Sequence, residues 1–283
     1  MSGLTTVGII GSGIMGSGLA EVASRAGFDV VVRSRTTAGA DDVKAKVEAN
    51  LAKLVEKGKL DDAERTATLS RIVCTDHLGR LAECDLVIES VVEDLDVKRE
   101  LFAELEQIVK DDGILATNTS TLPVVEMAMQ TQRPDRVCGI HFFNPAPMMR
   151  LVEVVRPITA SDDTIKTAME FATACGKDAI EVADRAGFVV NALLFPYLNN
   201  AIRLWEHGTA TKEDIDTAMQ GGCNFPMGPF ALLDLVGLDT SLSILEALYD
   251  ESREPNYAAV PTLRRMVAAG KLGRKSGEGF YRY

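Results

Sequence analysis

The 283-residue chain is predicted to be an α/β protein, with a doubly wound parallel sheet followed by an all-α C-terminal domain. Two observations predict this fold class. Short apolar, β-branched runs alternate with amphipathic helical patterns up to about residue 187, and such alternation is typical of a parallel sheet covered by helices on both faces. Beyond that point only helical patterns remain.

The elements of the first domain follow from hydrophobic periodicity. Strands are predicted at residues 4–10, 28–32, 72–74, 85–89, 114–117, 137–141 and 151–155. Helices are predicted at residues 14–26, 40–57, 61–70 and 95–110. The clearest strand is 85–89, because its sequence DLVIE is almost wholly apolar and β-branched. The helix at 95–110 is indicated by apolar residues three and four positions apart.

The second domain is predicted to begin at the Ala186-Gly187-Phe188 segment, where the strand patterns stop. Four helical patterns follow, at residues 188–207, 211–220, 229–250 and 258–269. We therefore predict one domain over residues 1–187 and a second, helical domain over residues 188–283.

Composition and charge limit the partners of the chain. Its residues are 46% hydrophobic and 25% charged, as in ordinary globular proteins. A net charge of −11 argues against nucleic acid, which needs a basic face. No apolar run reaches the roughly 18 residues of a membrane span, so no membrane partner is predicted. The first residues lack the basic region of a signal peptide, and a cytoplasmic protein is expected.

The five cysteines and three histidines show no metal-ligand pattern. The cysteines are scattered without CxxC spacing, and the histidines lie far apart in the sequence. We therefore predict no metal site and expect the cysteines to be small, buried apolar residues.

A glycine-rich turn follows the first predicted strand. Gly11, Gly13 and Gly16 have the G-x-G-x-x-G spacing, which allows a tight turn, close approach of a pyrophosphate and close packing of the next helix. The helix N-terminus then offers free N–H groups and the positive end of its dipole. Because a second strand follows, we predict a Rossmann-type domain that binds a nicotinamide or flavin dinucleotide. The predicted contacts from this turn are Gly11, Gly13, Ile14, Met15 and Gly16.

The end of the second predicted strand bears on the choice of cofactor. NAD-binding domains usually carry Asp or Glu there, to bind the ribose 2′-hydroxyl. Here Ser34 takes that position, and Arg33, Arg35 and Thr36 flank it. Arginine and hydroxyl side chains suit a 2′-phosphate, because their hydrogen bonds to phosphate are strong. We therefore predict that Ser34, Arg35 and Thr36 bind the cofactor and that NADP(H) is preferred, with NAD(H) as the alternative.

Five further segments resemble those of the L-3-hydroxyacyl-CoA dehydrogenase family. They read Thr-Asn-Thr-Ser-Thr-Leu at 117–122, Ile-His-Phe-Phe-Asn-Pro-Ala-Pro at 140–147, Leu-Val-Glu-Val-Val at 151–155, Ala-Gly-Phe-Val-Val-Asn-Ala-Leu-Leu at 186–194 and Gly-Arg-Lys-Ser-Gly-Glu-Gly-Phe-Tyr at 273–281. The resemblance covers essentially the whole chain in order. It implies hydride exchange between a nicotinamide and a short acyl thioester, such as (S)-3-hydroxybutyryl-CoA or acetoacetyl-CoA.

The resemblance implies roles for four residues in that chemistry. His141 corresponds to the general acid/base, a role that suits a side chain titrating near neutrality. Glu153 corresponds to the carboxylate that orients the imidazole. Ser120 and Asn191 correspond to the side chains that hold the substrate oxygen. A structural role is the alternative for each, and for Ser120 this is a helix N-cap.

Additional cofactor contacts are implied on the same basis. Glu93 and Lys98 correspond to residues on the ribose and nicotinamide side, and an exposed helix ion pair is the alternative for them. Asn118 is expected to border the nicotinamide, and Ser120 and Asn144 are expected among the cofactor contacts. Lys275, in the last segment, corresponds to a lysine close to the cofactor.

Two lysines are implied in binding coenzyme A. Lys53 and Lys57 lie four residues apart in the predicted helix at 40–57, and so share one face. They correspond to lysines that contact the phosphates of coenzyme A, and a solvated helix face is the alternative. Ser120, Asn191 and these two lysines are the predicted substrate contacts.

Alternatives of other classes stay open at the level of sequence. A catalytically idle nucleotide-binding protein, as in lambda-crystallin, has the same fold, but has no need of a paired His141 and Glu153. A dehydrogenase acting on free hydroxy acids or on acyl-carrier-protein thioesters is the other alternative. The resemblance also implies that the helical domain forms a homodimer and completes a substrate cleft between the domains.

Overall fold

The computed structural model describes residues 3–283. The chain packs as two compact units, the first ending at Asp184 and the second running from Arg185 to Tyr283.

The first unit contains all the strands and six helices of the described chain. The strands are β1 (Thr6–Ile10), β2 (Asp29–Arg33), β3 (Ile72–Thr75), β4 (Leu86–Glu89), β5 (Ile114–Thr117), β6 (Val137–Phe142), β7 (Leu151–Arg156) and β8 (Asp178–Ala183). The helices are α1 (Ile14–Arg25), α2 (Thr37–Glu56), α3 (Asp62–Ser70), α4 (Leu95–Glu106), α5 (Val124–Ala128) and α6 (Asp162–Ala174).

The eight strands form one sheet in the order β3-β2-β1-β4-β5-β6-β7-β8. The first six positions reproduce the 3-2-1-4-5-6 order of dinucleotide-binding domains, which confirms the predicted doubly wound fold. The sheet is mostly rather than wholly parallel, because β6 and β7 pair antiparallel. Strands β1, β2, β4, β5 and β6 end at the same edge, and the polar residues that follow them meet there.

The core of the first unit lies on both faces of this sheet. β4, β5 and β6 are buried along their whole length, as expected of strands covered by helices on two sides. Leu19 and Ala23 of α1 and Val43, Val47 and Leu51 of α2 pack against the strands. Their spacing of four residues puts them on one face of each helix, and that face covers the sheet.

The second unit is all helical. Its helices are α7 (Val190–Glu206), α8 (Lys212–Cys223), α9 (Pro229–Val236), α10 (Leu238–Ser252) and α11 (Pro261–Ala268). Two buried carboxylates fasten its parts: Asp216 accepts hydrogen bonds from the Phe230 and Ala231 amides at the start of α9, and Asp234 accepts from the amides of Phe280 and Tyr281. The C-terminal segment is thereby tied to the helical core.

Several elements differ from the sequence prediction. The helix predicted at 95–110 ends at Glu106, and the one predicted at 229–250 is two helices divided at Gly237, whose φ of 102° no helix can continue through. α6 and β8 were not predicted from the pattern. Of the cysteines, Cys84 and Cys138 are buried as expected, whereas Cys223 is exposed.

Two properties of residues 3–283 bear on partners. None of the helices there is both long and apolar enough to cross a bilayer. No group of three or more His, Cys, Asp or Glu side chains in this part of the chain is placed to hold a metal ion.

Candidate active site

The glycine-rich turn leaves β1 and enters α1 with little room for side chains. Gly11 has a φ of +126°, and a Cβ there would lie 2.3 Å from the carbonyl oxygen of Ser90. A Cβ on Gly16 would lie 2.1 Å from the carbonyl oxygen of Gly11. A Cβ on Gly13, in contrast, would meet nothing within 4 Å. The first and last glycines are therefore needed for packing, while Gly13 faces open space suited to a pyrophosphate.

The N-terminus of α1 is open to an anion. Gly13 is its N-cap, so no side chain caps the helix, and its first turn holds no acidic residue. The Ile14 side chain is 71% exposed, whereas Met15 packs partly against the sheet core. The first-turn N–H groups and the helix dipole can thus face a phosphate, as the sequence predicts.

A cavity of about 460 Å³ lies beside this turn. Its wall combines the turn, the end of β2 and the segment after β4. The lining residues are Ile10, Gly11, Ser12, Gly13, Arg33, Ser34, Arg35, Ser90, Val91, Val92, Val97 and Leu101. The lining combines backbone donors and arginines, which suit phosphates, with valines and a leucine, which suit an adenine ring, so these residues fit the predicted cofactor.

The residues after β2 are held in place by local hydrogen bonds. Ser34 is buried, and its hydroxyl donates to the Ser12 hydroxyl at 3.1 Å. The Thr36 hydroxyl caps α2 by accepting from the Gly39 amide at 3.1 Å. Arg35 is exposed beside the cavity. Ser34, Arg35 and Thr36 therefore lie at the sheet edge beside the cavity, as predicted. None of the three carries a carboxylate that could bind a ribose 2′-hydroxyl.

His141 and Glu153 form a buried pair across β6 and β7. The two residues are direct cross-strand partners, and Nδ1 of His141 lies 2.8 Å from Oε2 of Glu153. His141 is 4% exposed and Glu153 is completely buried. The antiparallel pairing of the two strands produces this contact, because opposite residues of such a pair bring their side chains together on one face.

The pairing favours one tautomer of the imidazole. An ionised carboxylate can only accept hydrogen bonds, so beside an ionised Glu153 the proton of a neutral His141 lies on Nδ1 and Nε2 is the acceptor. The Phe143 ring packs against the imidazole with centroids 4.4 Å apart. A histidine arranged in this way can accept a proton at Nε2 and return it.

Ser120 lies in a tight segment after β5. Its amide donates to Oε1 of Glu93 at 2.8 Å, and the neighbouring Thr119 hydroxyl donates to the same oxygen at 2.5 Å. The Thr119 hydroxyl also accepts from the Leu122 amide at 3.0 Å. Ser120 does not cap a helix, because α5 starts later with Pro123 as its N-cap. The structure therefore leaves the Ser120 hydroxyl outside any helix cap.

Lys98 is buried rather than exposed, and it pairs with two carboxylates. Its Nζ lies 2.7 Å and 2.9 Å from the two carboxylate oxygens of Glu89, and 3.2 Å from Oε2 of Glu93. Lys98 is 1% exposed and Glu89 is completely buried, whereas the Glu93 side chain is 40% exposed. The alternative of an exposed helix ion pair is thus wrong for Lys98.

Asn118 links this region to the histidine strand. Its amide donates to the backbone oxygen of Glu89 at 2.8 Å, and its side-chain oxygen accepts from the Phe142 amide at 2.8 Å. Asn118 thereby joins β4 to the end of β6, next to His141. Its side-chain NH₂ group remains the part that can meet a ligand.

Lys177 holds the loop between β6 and β7 through two hydrogen bonds to its backbone. This buried ammonium donates to the backbone oxygens of Ala146 and Met149 at 2.7 Å and 2.8 Å, and burial lowers its pKa. The loop also packs on α1, since a Cβ on Gly18 would lie 3.0 Å from the Ala146 Cβ. Asn144, a predicted cofactor contact, is exposed on this loop.

Lys53 and Lys57 are exposed at the end of α2. Lys53 lies in the last turn of α2, and Lys57, predicted to lie inside the helix, is its C-cap, one residue beyond the observed end at Glu56. The positions therefore offer two cations to solvent on one side of the helix end.

Asn191 and Lys275 lie in the second unit. Asn191 is the second residue of α7 and is buried, and its helix has Val189 rather than Asn191 as N-cap. Lys275 forms an ion pair with Asp239, with Nζ 2.6 Å and 2.7 Å from the two oxygens. Their predicted contacts with substrate and cofactor stay predictions.

Sequence reasoning missed two residues that organise this region, Glu89 and Lys177. A glutamate ending the apolar strand DLVIE is a usable signal, because a charge at the end of a buried strand needs a partner. Lys177 follows Gly176 directly before β8, which the pattern did not reveal. Its contacts with the loop after His141 are visible only in three dimensions.

Family models match the two parts of the chain. Residues 6–185 match the NAD-binding domain of 3-hydroxyacyl-CoA dehydrogenase, and residues 187–283 match the C-terminal domain of the same enzyme. The first unit is therefore a nicotinamide-dinucleotide-binding domain by family as well as by geometry.

Individual proteins are similar over nearly the full length. A probable 3-hydroxybutyryl-CoA dehydrogenase of Deinococcus radiodurans is 48% identical, with 98% of this chain and 99% of that protein covered. The crystal structure of FadB2 from M. tuberculosis is 47% identical with a TM-score of 0.96, and that of (S)-3-hydroxybutyryl-CoA dehydrogenase PaaH1 from Ralstonia eutropha is 40% identical with a TM-score of 0.97. Each covers 99% of both chains. On this agreement of sequence and fold, the chain belongs to the 3-hydroxyacyl-CoA dehydrogenase family.

Proposed function

We propose that the protein interconverts (S)-3-hydroxybutyryl-CoA and acetoacetyl-CoA. The buried His141–Glu153 pair carries this proposal, with Nδ1 and Oε2 2.8 Å apart at the sheet edge that also holds the glycine-rich turn. A structural nucleotide-binding protein needs no such pair. The names of the similar proteins support the substrate, since several are 3-hydroxybutyryl-CoA dehydrogenases.

His141 moves the proton of the reaction. In the direction of oxidation, the C3 hydroxyl of the substrate gives its proton to Nε2 of His141 while the C3 hydrogen leaves as hydride, which an oxidised nicotinamide bound in the site would accept, and a ketone forms. Glu153 accepts from Nδ1 throughout, so it stabilises the imidazolium that results. In reduction, the same imidazolium returns the proton to the developing alkoxide.

Ser120 and Asn191 hold the substrate oxygen in this proposal. A hydroxyl and an amide donor stabilise the charge that develops on that oxygen in the transition state. The support for Ser120 is its rigid setting, because Glu93 holds its amide at 2.8 Å. The support for Asn191 is the family resemblance.

We assign the cofactor to the cavity beside the glycine-rich turn, with NADP(H) preferred over NAD(H). When bound, the nicotinamide supplies the hydride exchange at C3. Arg35, exposed beside Ser34, supports the preference, as does a first turn of α2 that holds no acidic residue. Glu93, Lys98, Asn118, Asn144 and Lys275 complete the proposed cofactor contacts, with Lys98 acting through its two carboxylates.

The acyl group is carried by coenzyme A, whose phosphates meet Lys53 and Lys57. Two exposed cations at one helix end support this on a protein whose net charge is −11. A thioester on an acyl carrier protein presents only one phosphate. Comparing acetoacetyl-CoA with the acyl-carrier-protein thioester therefore separates the two substrates.

A homodimer and a cytoplasmic location complete the proposal, both expected from the sequence and the resemblance. Light scattering of the purified protein tests the dimer, and a stable monomer would rule it out.

The proposed activity is tested by following the absorbance of reduced nicotinamide on mixing wild-type protein with acetoacetyl-CoA and NADPH or NADH. Oxidation of either cofactor, with a faster rate for NADPH, is the expected result. No oxidation of either one would remove the proposal and leave the catalytically idle alternative.

A further inference from the structure

We propose that Glu89 is a positioning residue for Ser120, acting through Lys98 and Glu93. The inference rests on the proposed function, in which Ser120 holds the substrate oxygen. Glu89 does not itself line the cavity, although its carboxylate accepts a hydrogen bond from the amide of Val91, which does. Its role follows from a continuous series of contacts from Glu89 to Ser120: hydrogen bonds between Glu89 and Lys98, an ion pair between Lys98 and Glu93, and a hydrogen bond from the Ser120 amide to Glu93.

Glu89, the first residue in this series of contacts, is completely buried. Its Oε1 accepts from the Val91 amide at 2.6 Å, and its Oε2 accepts from the Thr117 hydroxyl at 2.8 Å. Both oxygens also accept from Nζ of Lys98. With four hydrogen bonds from three donor groups, the carboxylate has one orientation, so it holds Lys98 in one place as well.

Lys98 connects Glu89 to Glu93. Its ammonium donates to both oxygens of Glu89 and forms an ion pair with Oε2 of Glu93 at 3.2 Å. The lysine therefore acts on the site through Glu93.

Glu93 transmits the position of Lys98 to the loop. One of its oxygens faces Lys98, and the other accepts from the Thr119 hydroxyl and the Ser120 amide. Its side chain is 40% exposed, so solvent competes for it. Without the fixed ammonium, Glu93 would stand beside a second carboxylate, Glu89, and would turn towards water because like charges repel.

A purely structural role explains this arrangement less well. Burying an ammonium and a carboxylate costs more free energy than apolar residues of the same size would, so such a pair is weak support for stability. The contact of Lys98 with Glu93 links this pair to the loop that holds Ser120, which a role in stability alone does not require.

The first test is a double-mutant cycle of Glu89→Gln and Ser120→Ala, measured as kcat. Misplacing a site by about 1 Å can cost roughly 10²-fold in rate, and we expect a loss of this order for Glu89→Gln. Adding Glu89→Gln to Ser120→Ala should then change kcat little, because the group it positions is already absent. Fully multiplicative losses would contradict the proposal.

Asp85→Asn is the matched control. Asp85 precedes the same strand at its other end, and it pairs with Lys110 instead. Its loss should lower stability and leave kcat unchanged. If Glu89→Gln does not fold, Thr117→Val removes one donor to Glu89 and tests the same chain of contacts with a smaller loss.

The second test does not need turnover. Hydrogen exchange of the Ser120 amide reports its bond to Glu93 directly, and it should be faster in Glu89→Gln but not in Asp85→Asn. Unchanged exchange would overturn the inference even where the wild-type enzyme is active. A wild type without activity, but with faster exchange in Glu89→Gln, would remove the proposed function and leave the positioning chain intact.

A third variant separates positioning from stability. Glu89→Gln/Lys98→Met removes both buried charges, so we expect Tm to recover relative to Glu89→Gln alone. The rate should stay low, because Glu93 still lacks its fixed cation. Recovery of kcat together with Tm would mean that Glu89 serves only stability.

Discussion

Nδ1 of His141 lies 2.8 Å from Oε2 of Glu153, and the two residues are paired directly across β6 and β7. Both side chains are buried, so little water competes for this hydrogen bond. The carboxylate determines which ring nitrogen is protonated, and it leaves Nε2 as the base. Most of the proposed chemistry depends on this one contact.

Glu153→Gln should lower kcat by about 10²–10⁴-fold with little change in KM. The amide NH₂ of glutamine can donate to Nδ1, which stabilises the tautomer with a protonated Nε2 and removes the base. Steady-state kinetics with acetoacetyl-CoA measure the effect. The control is Glu181→Gln, an exposed carboxylate on the adjacent strand β8 that pairs with Arg156 and should leave kcat unchanged. Equal activity of the two variants would disprove the role of Glu153.

Arg35→Ala should lower kcat/KM for NADPH by about tenfold or more and leave that for NADH nearly unchanged. The reason is the loss of a charge-assisted contact that only a 2′-phosphate can use. Ser34→Asp should shift the preference further towards NADH, because it restores the carboxylate that binds a 2′-hydroxyl. A wild type that clearly prefers NADH would refute the predicted preference.

Lys53→Ala/Lys57→Ala should raise KM for acetoacetyl-CoA by about tenfold, with little effect on kcat. The two cations contact phosphates far from the reacting carbon, so they contribute equally to ground-state and transition-state binding. An acetoacetyl-pantetheine substrate without these phosphates should show the same KM in variant and wild type. The control is Lys46→Ala, on the same helix, where the lysine pairs with Asp42. An unchanged KM in the double variant would assign these lysines to a solvated face.

Asp85→Asn should destabilise the first unit at neutral pH, because it removes the ion pair with Lys110. Solvent screens this partly exposed pair, so the expected loss is only about 1–2 kcal/mol. Burial raises the pKa of Asp85, but hydrogen bonds from Lys110 and from the Thr5 and Thr6 amides outweigh it and lower the pKa from 3.8 to about 2. A lowered pKa contributes stability above the unfolded value, and this is lost as pH falls towards the folded value.

The difference in free energy of unfolding between wild type and Asp85→Asn should therefore be constant above about pH 5 and shrink below about pH 4. Urea unfolding over this range measures it. Asp112→Asn serves as control, because Asp112 is 75% exposed and 4.0 Å from Lys110. A difference that grows on acidification would contradict the assignment.

Local sequence signals predicted the parts of the fold that depend on local sterics. The glycine-rich turn is one, since a Cβ on Gly11 or Gly16 would lie only 2.3 Å or 2.1 Å from a backbone oxygen. β8 was missed because it is an edge strand whose residues are mostly exposed, so it lacks the apolar run that marks a buried strand. The break at Gly237 was missed because apolar spacing continues through it.

The sequence indicated which residues belong to the candidate site, but not how their side chains pair with one another. His141 and Glu153 were found through the family resemblance, but their cross-strand register needed the antiparallel pairing of β6 and β7. Lys98 was expected at the cofactor, and nothing in the sequence indicates that its ammonium turns inward to Glu89. Burial and pairing of charges depend on the tertiary fold, which single-residue patterns do not encode.

The most direct test of the proposed mechanism is kcat for acetoacetyl-CoA reduction by His141→Ala, with His77→Ala as a matched control. His77 lies in the first unit with its side chain 85% exposed, so its loss should have no effect. We predict that His141→Ala lowers kcat by about 10²–10⁴-fold while fluorescence titration shows unchanged binding of the reduced cofactor. A His141→Ala variant as fast as the wild type would contradict the assignment of His141 as the general acid/base.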